Sequence, residues 1–125
     1  MITYRGIRGA TSVEANDAGA IITATRELLE HIVAANNLAV EDVVSVIFTA
    51  TPDLNAAYPA RAAREMGWVH VPLLCMQEMN VEGSLPSCIR VLVLWNTDRP
   101  PTQIRHVYLG RARALRPDLV ECEYG

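Results

Sequence analysis

Lysine is absent: all eleven basic residues of this chain are arginine. Schiff-base chemistry, pyridoxal-phosphate attachment and any lysine nucleophile are therefore excluded. Cysteine is scarce. Cys75, Cys88 and Cys122 are odd in number and form no C-x-x-C pair, which rules out a zinc ribbon and a thioredoxin-type motif. His31, His70 and His106 form no H-x-x-x-H spacing, so no metal site is expected. No G-x-x-x-x-G-K or G-x-G-x-x-G run points to a nucleotide. Aromatic residues make up 6% of the chain and the net charge is −3. The arginines at 99, 105, 111, 113 and 116 make the C-terminal part locally basic. With aromatics so sparse, they read as a solvated surface and not as a nucleic-acid stripe. Apolar runs stop at strand length, far short of the ~20 residues of a membrane span. The N-terminus lacks a charged-then-apolar leader pattern. The expectation is a soluble, cytoplasmic protein with neither nucleic acid nor membrane as partner.

What is present fits one packed domain over residues 1–125, half hydrophobic and one-fifth charged. Residues 2–13 read as a first strand broken by Gly6 and Gly9, which flank Arg8 and could leave room beside its side chain. Asn16 or Asp17 can cap a long helix to about Asn36, with Ile21, Ile22, Leu28, Leu29, Ile32 and Val33 as its apolar stripe. On its other side Arg26 and Glu30 stand at i,i+4. Residues 43–50 (VVSVIFTA) form a second buried strand. Pro59 opens a short helix that Gly67 ends, with Arg61 and Arg64 on one face. Residues 69–75 read as a third strand, with Pro72 marking an edge or an irregular start. Residues 82–86 turn, 88–95 form a central strand, and 104–109 a final short one. The fold class is α+β, a mixed sheet with the long helix packed on one face.

Arg90 is the anomaly. It interrupts an otherwise apolar run, CIRVLVLW at 88–95. Alternation puts Cys88, Arg90, Leu92 and Leu94 on one face and Ile89, Val91, Val93 and Trp95 on the other. A guanidinium keeps its charge wherever it lies, and burying it costs several kcal/mol unless an anion compensates. The anion is either an internal carboxylate or a ligand. Arg8, in IRGA at 7–10, poses the same question. Two such arginines on different strands suit a shared anionic ligand held by paired hydrogen bonds. Glu78, Cys75, Tyr58 and Tyr108 are the remaining candidates. An inert core thiol, a solvated carboxylate and core-edge phenols are their ordinary roles. Such a set positions a ligand and stabilises charge.

Six stretches together resemble the monofunctional chorismate mutases of the trimeric pseudo-α/β-barrel class. They are RGIRGAT at 5–11, ATPDL at 50–54, CMQEM at 75–79, CIRV at 88–91, QIRHVYL at 103–109 and LRPDL at 115–119. The resemblance implies conversion of chorismate to prephenate, a homotrimer, and active sites at subunit interfaces. It implies that Arg8, Cys75, Glu78, Arg90 and Tyr108 come from one subunit and Tyr58, Ala60 and Arg64 from its neighbour. Leu115 and Arg116 match a segment that folds over the pocket. The family commonly carries phenylalanine at the position of Tyr58 and often lysine at that of Arg61.

The implied reaction fits the residue inventory. A pericyclic rearrangement needs no nucleophile, proton transfer or cofactor. It needs a dicarboxylate held in its reactive conformer and a positive charge at the oxygen of the breaking ether. Arg90 takes that role. Arg8 and Tyr108 bind carboxylate or assist at the ether oxygen, Glu78 and Cys75 hold the ring hydroxyl, and Arg64 adds positive potential at the mouth. Two other readings use the same arginines: a trimeric imine hydrolase in which Glu78 activates water, and a non-catalytic sensor of an aromatic dicarboxylate.

Overall fold

The computed structural model describes residues 3–115. Five strands form one mixed sheet in the order β3-β2-β4-β1-β5. They are β1 (Tyr4–Ser12), β2 (Val43–Ala50), β3 (Leu73–Gln77), β4 (Cys88–Asn96) and β5 (Val107–Tyr108). The helices are α1 (Ala18–Asn36) and α2 (Ala60–Glu65). β4 runs antiparallel to both β1 and β2, while β3 and β5 add at the borders in parallel.

Asp17 caps α1, accepting the Ala20 N–H at 3.0 Å. Asn37 ends it in the left-handed conformation, its N–H returning to the Val33 carbonyl. The buried stripe is Ile21, Thr25, Leu28, Leu29, Ile32 and Asn36, with Ile22 and Val33 half-buried. It packs against Ile7, Phe48, Val91, Val93 and Val107 of the sheet and Ala60 and Ala63 of α2. Gly9 faces this layer: an added Cβ would stand 2.9 Å from Ile32 Cδ1 and 3.1 Å from Leu28 Cδ1. Close approach of α1 to β1, more than room beside Arg8, is what Gly9 provides. Arg26 meets Glu65 of α2 at 3.9 Å rather than Glu30.

Two strands differ from the sequence expectation. β3 starts at Leu73 because residues 69–72 are still leaving α2; Pro72 contributes only its carbonyl, to the Val46 N–H at 3.0 Å. β5 shrinks to two residues because Asn36 claims the chain before it. Asn36 Oδ1 accepts the Arg105 N–H at 2.9 Å and its Nδ2 donates to the Arg105 carbonyl at 2.9 Å.

Neither helix covers the other face of the sheet. Ile47, Leu92 and Leu94 are half-exposed there, and Leu74 and Met76 are 53% and 48% exposed. β4 is central in the sheet, yet only its Ile89, Val91, Val93 and Trp95 side chains are buried in the helix-side core.

Candidate active site

The uncovered face carries the chemistry. Register sets Ala10, Arg90 and Thr49 in one row and Arg8, Leu92 and Ile47 in the next. Tyr108 pairs with Ala10 and so faces the same way. Arg8, Thr49, Arg90, Leu92 and Tyr108 line a cleft of about 300 Å³. Glu78 touches two of the lining residues, Thr49 and Arg90: its N–H donates to the Ala50 carbonyl at 2.9 Å, and its Oε1 accepts the Thr49 hydroxyl at 2.5 Å.

The sequence expectation of a deeply buried Arg90 is corrected here. Its side chain is 42% exposed, because neither helix covers that face. The Nε is nevertheless buried and makes no hydrogen bond. Glu78 Oε1 lies 3.5 Å from it, an ion pair without hydrogen-bond geometry. Thr49 thus occupies the oxygen that would otherwise turn to Arg90. Arg8 is exposed, and among the described residues no carboxylate lies within ion-pair distance of it. Among the described residues the cleft has two guanidinium groups, with one carboxylate, Glu78, beside it. It is suited to an anion with several oxygens.

Tyr108 is held more rigidly. It is 4% exposed and packs with Ala10, Cys88 and Ala112, with Leu85 and Leu115 against the same cluster. Cys88 lies beneath Arg90. Burial pushes its thiol up and the nearby Arg90 charge opposes this, so Cys88 stays a neutral thiol near pH 7.

Cys75 and its neighbours sit elsewhere. Cys75 pairs with Phe48 and packs on the helix-side core, so its thiol is on the opposite face from Arg90. Its main chain has a different outlook. Pro72 accepts from Val46 and Glu78 donates to Ala50, so even-numbered residues of β3 bond to β2. The odd-numbered Cys75 therefore turns its N–H and C=O to the open border of the sheet. A second cleft, about 600 Å³, lies there and is lined by Tyr58, Arg61, Arg64, Cys75 and Gln77 among others. Tyr58 is 72% exposed. Arg61 is held by Glu65 at 2.7 Å, whereas Arg64 has no carboxylate in range among the described residues. Ala60, the first residue of α2, is buried. Tyr58, Ala60 and Arg64 thus do not join Arg8 and Arg90 within one chain. Arg116 lies outside the described residues.

Sequence reasoning missed Thr49: alternation counted from Val43 puts it on the helix side, and the bulge between Val43 and Ser45 moves it to the face of Arg90, its partner in the sheet. It also gave no role to Asp53, within ATPDL. The Asp53 carboxylate accepts the Thr51 hydroxyl at 2.5 Å and the Ser87 N–H and hydroxyl at 3.0 Å each. Ser87 stands in the left-handed region (φ 50) just before β4, and this grip holds it there. The Thr51 hydrogen bond above all, with those of Ser87, lowers the Asp53 pKa against the opposing effect of burial. Among the described residues no group of three or more histidine, cysteine or acidic side chains could hold a metal, and no helix is long and apolar enough to cross a membrane.

Residues 4–119 match the family described as chorismate mutase type I. The chain is 53% identical to chorismate mutase AroH of Bacillus subtilis over 116 residues, 92% of this chain and 91% of that protein. It is 55% identical to chorismate mutase AroH of Thermus thermophilus over 116 residues, 92% and 95% of the two chains. In structure it is similar to a chorismate mutase from Clostridium thermocellum, with TM-score 0.87 and 48% identity, covering 88% of this chain and 98% of that one.

Proposed function

The chain belongs to the type I chorismate mutase family, and from that premise we propose how its own groups carry the rearrangement of chorismate to prephenate. The enzyme is an isomerase, and no atom enters or leaves its substrate. The observation that carries the reading is the pair Arg8 and Arg90 on one sheet face, with Glu78 beside Arg90 as the one carboxylate in range among the described residues.

Catalysis here is conformational and electrostatic. Arg8 and Arg90 draw in the dianion, and two-point attachment restricts it to the folded conformer whose reacting carbons meet. As the ether bond stretches, negative charge grows on its oxygen. Arg90, its Nε buried without a hydrogen bond and only loosely matched by Glu78, stabilises that charge more than it stabilises the ground state. Tyr108 supports the same end of the ligand through its hydroxyl. Glu78 accepts a hydrogen bond from the ring hydroxyl, while Thr49 fixes the carboxylate and keeps it from closing onto Arg90. Cys75 serves through its open main-chain groups, since its thiol lies on the helix side.

The site is completed by assembly. Leu74, Met76, Leu92 and Leu94 form an apolar face that this chain leaves bare, and a homotrimeric pseudo-barrel would bury it. Tyr58, Ala60 and Arg64 then belong to a neighbour's cleft, where exposed Tyr58 becomes a wall and free Arg64 adds positive charge at the mouth. Leu115 packs beside Tyr108 and contributes an apolar contact at that end of the site.

The test is turnover by the purified protein. Chorismate's ultraviolet absorbance should fall and prephenate should appear by proton NMR, with no cofactor or metal added. Saturable binding of chorismate without prephenate formation would refute the mechanism.

A further inference from the structure

The loop between β2 and α2, which carries Tyr58, is held from three directions. Leu54 is buried among Val13, Ile21 and Ile89. Asp53 is bound to Thr51 and Ser87. The third hold is a single exposed side chain, Asn16, from the turn that precedes α1. Its Oδ1 accepts the N–H groups of Asn55 at 3.0 Å and Ala56 at 3.1 Å. Its Nδ2 donates to Asn55 Oδ1 at 2.8 Å. The two backbone donors fix which way the amide points. Asn16 is itself well anchored, because the next residue, Asp17, caps α1.

Asn55, Ala56 and Tyr58 are exposed, and Ala57 is half-buried. Between Leu54 and the buried Pro59, only Ala57 packs on the core, before the α2 start, where the Arg61 N–H donates to the Tyr58 carbonyl at 3.0 Å. Asn16 supplies polar fixation at the two residues, Asn55 and Ala56, that pack on nothing. We infer that Asn16 is a positioning residue for an active site other than its own subunit's: by fixing Asn55 and Ala56 it sets the stance of Tyr58, and so the wall presented to a neighbour's Arg8–Arg90 cleft. This rests on the reading that Tyr58 completes a neighbouring site.

A loop released at Asn55 and Ala56 spends part of its time in stances that leave the wall open. The binding-competent fraction falls, and apparent affinity falls with it, while the Arg90 end is untouched. Asn16→Ala is expected to raise KM by roughly tenfold with kcat changed by less than about twofold, the size of losing one to two hydrogen bonds' worth of loop order. Asn16→Asp keeps oxygens facing both N–H groups and should recover most of the KM. Wild-type KM in Asn16→Ala, or equal losses in both variants, would overturn the inference.

The decisive experiment mixes subunits. Asn16→Ala subunits, co-expressed under separate affinity tags with Arg90→Ala subunits, should form hybrid sites that pair an intact Arg90 with an intact Tyr58 loop. A population of sites with wild-type KM should then appear. The control pair is Tyr58→Ala with Arg90→Ala. If neither pair recovers, the shared-site reading has failed and the inference with it. If the control recovers and the Asn16 pair does not, Asn16 acts within its own subunit and the inference alone is wrong.

Discussion

Replacing Arg90 with citrulline removes one charge and keeps the shape, which makes it the sharpest perturbation of the cleft. Suppose about half an elementary charge develops on the ether oxygen, ~3 Å from the guanidinium. At an effective dielectric of about 20 the attraction is ~2.8 kcal/mol, or roughly a hundredfold in kcat. At the dielectric of water it is ~0.7 kcal/mol, about threefold. The isolated subunit leaves the Arg90 side chain 42% exposed, a setting between these limits. The size of the loss therefore reports whether the cleft is closed by another subunit. The prediction is a fall in kcat of about 10²–10³, the range for one key electrostatic donor in a water-excluded site. Lysine at this position should rescue poorly, having a different reach and no planar fork. The assay is the decline of chorismate absorbance at saturating substrate. Unchanged kcat with a raised KM would mean that Arg90 binds the ground state and transition state alike, and the charge-stabilisation argument would fail.

Four further outcomes follow from particular contacts. The double variant Leu74→Asp/Met76→Asp should run as a monomer in light scattering and lose turnover, whereas an active trimer would contradict the role given to the bare sheet face. Cys75→Ala should keep kcat/KM within roughly tenfold, because the substitution leaves the main-chain groups of β3 in place; a loss beyond about a hundredfold would return the function to the thiol. Asp53 has its folded pKa lowered, so its stabilising contribution is present above the ordinary value of 3.8 and is lost as pH falls through the folded value. Asp53→Asn should therefore be less stable than the parent at neutral pH, with the two denaturation midpoints converging below about pH 4; parallel curves would rule out the ionised carboxylate as the source. Gly9→Ala should cost about 1–3 kcal/mol in denaturant unfolding from overpacking against Ile32 and Leu28, and a neutral result would show that α1 can retreat freely.

Periodicity made most of the fold legible. α1 ends where its cap and its αL asparagine dictate, β2 spans the run VVSVIFTA, and β4 follows the apolar run around Arg90. The misreadings have local causes. β3 and β5 are short borders whose limits depend on Pro72 and on Asn36 hydrogen-bonding Arg105, and neither leaves a periodic trace. The site was legible as residue types, since guanidinium inside apolar strands is costly enough to stand out. Burial of Arg90 was overestimated because an apolar face does not say which chain covers it. Thr49, Asp53 and Asn16 act through contacts between distant positions, and polar residues in turns and strands look alike until the chain is folded.

The open border of β3 has a consequence for the chain on its own. Cys75 offers unpaired main-chain donors and acceptors there, and the adjoining Leu74 and Met76 are exposed. A chain that meets no copy of itself presents a ready template for strand addition by any partly folded polypeptide, itself included. Concentrated, partly folded chains should thus favour aggregation over a tidy population of folded monomers.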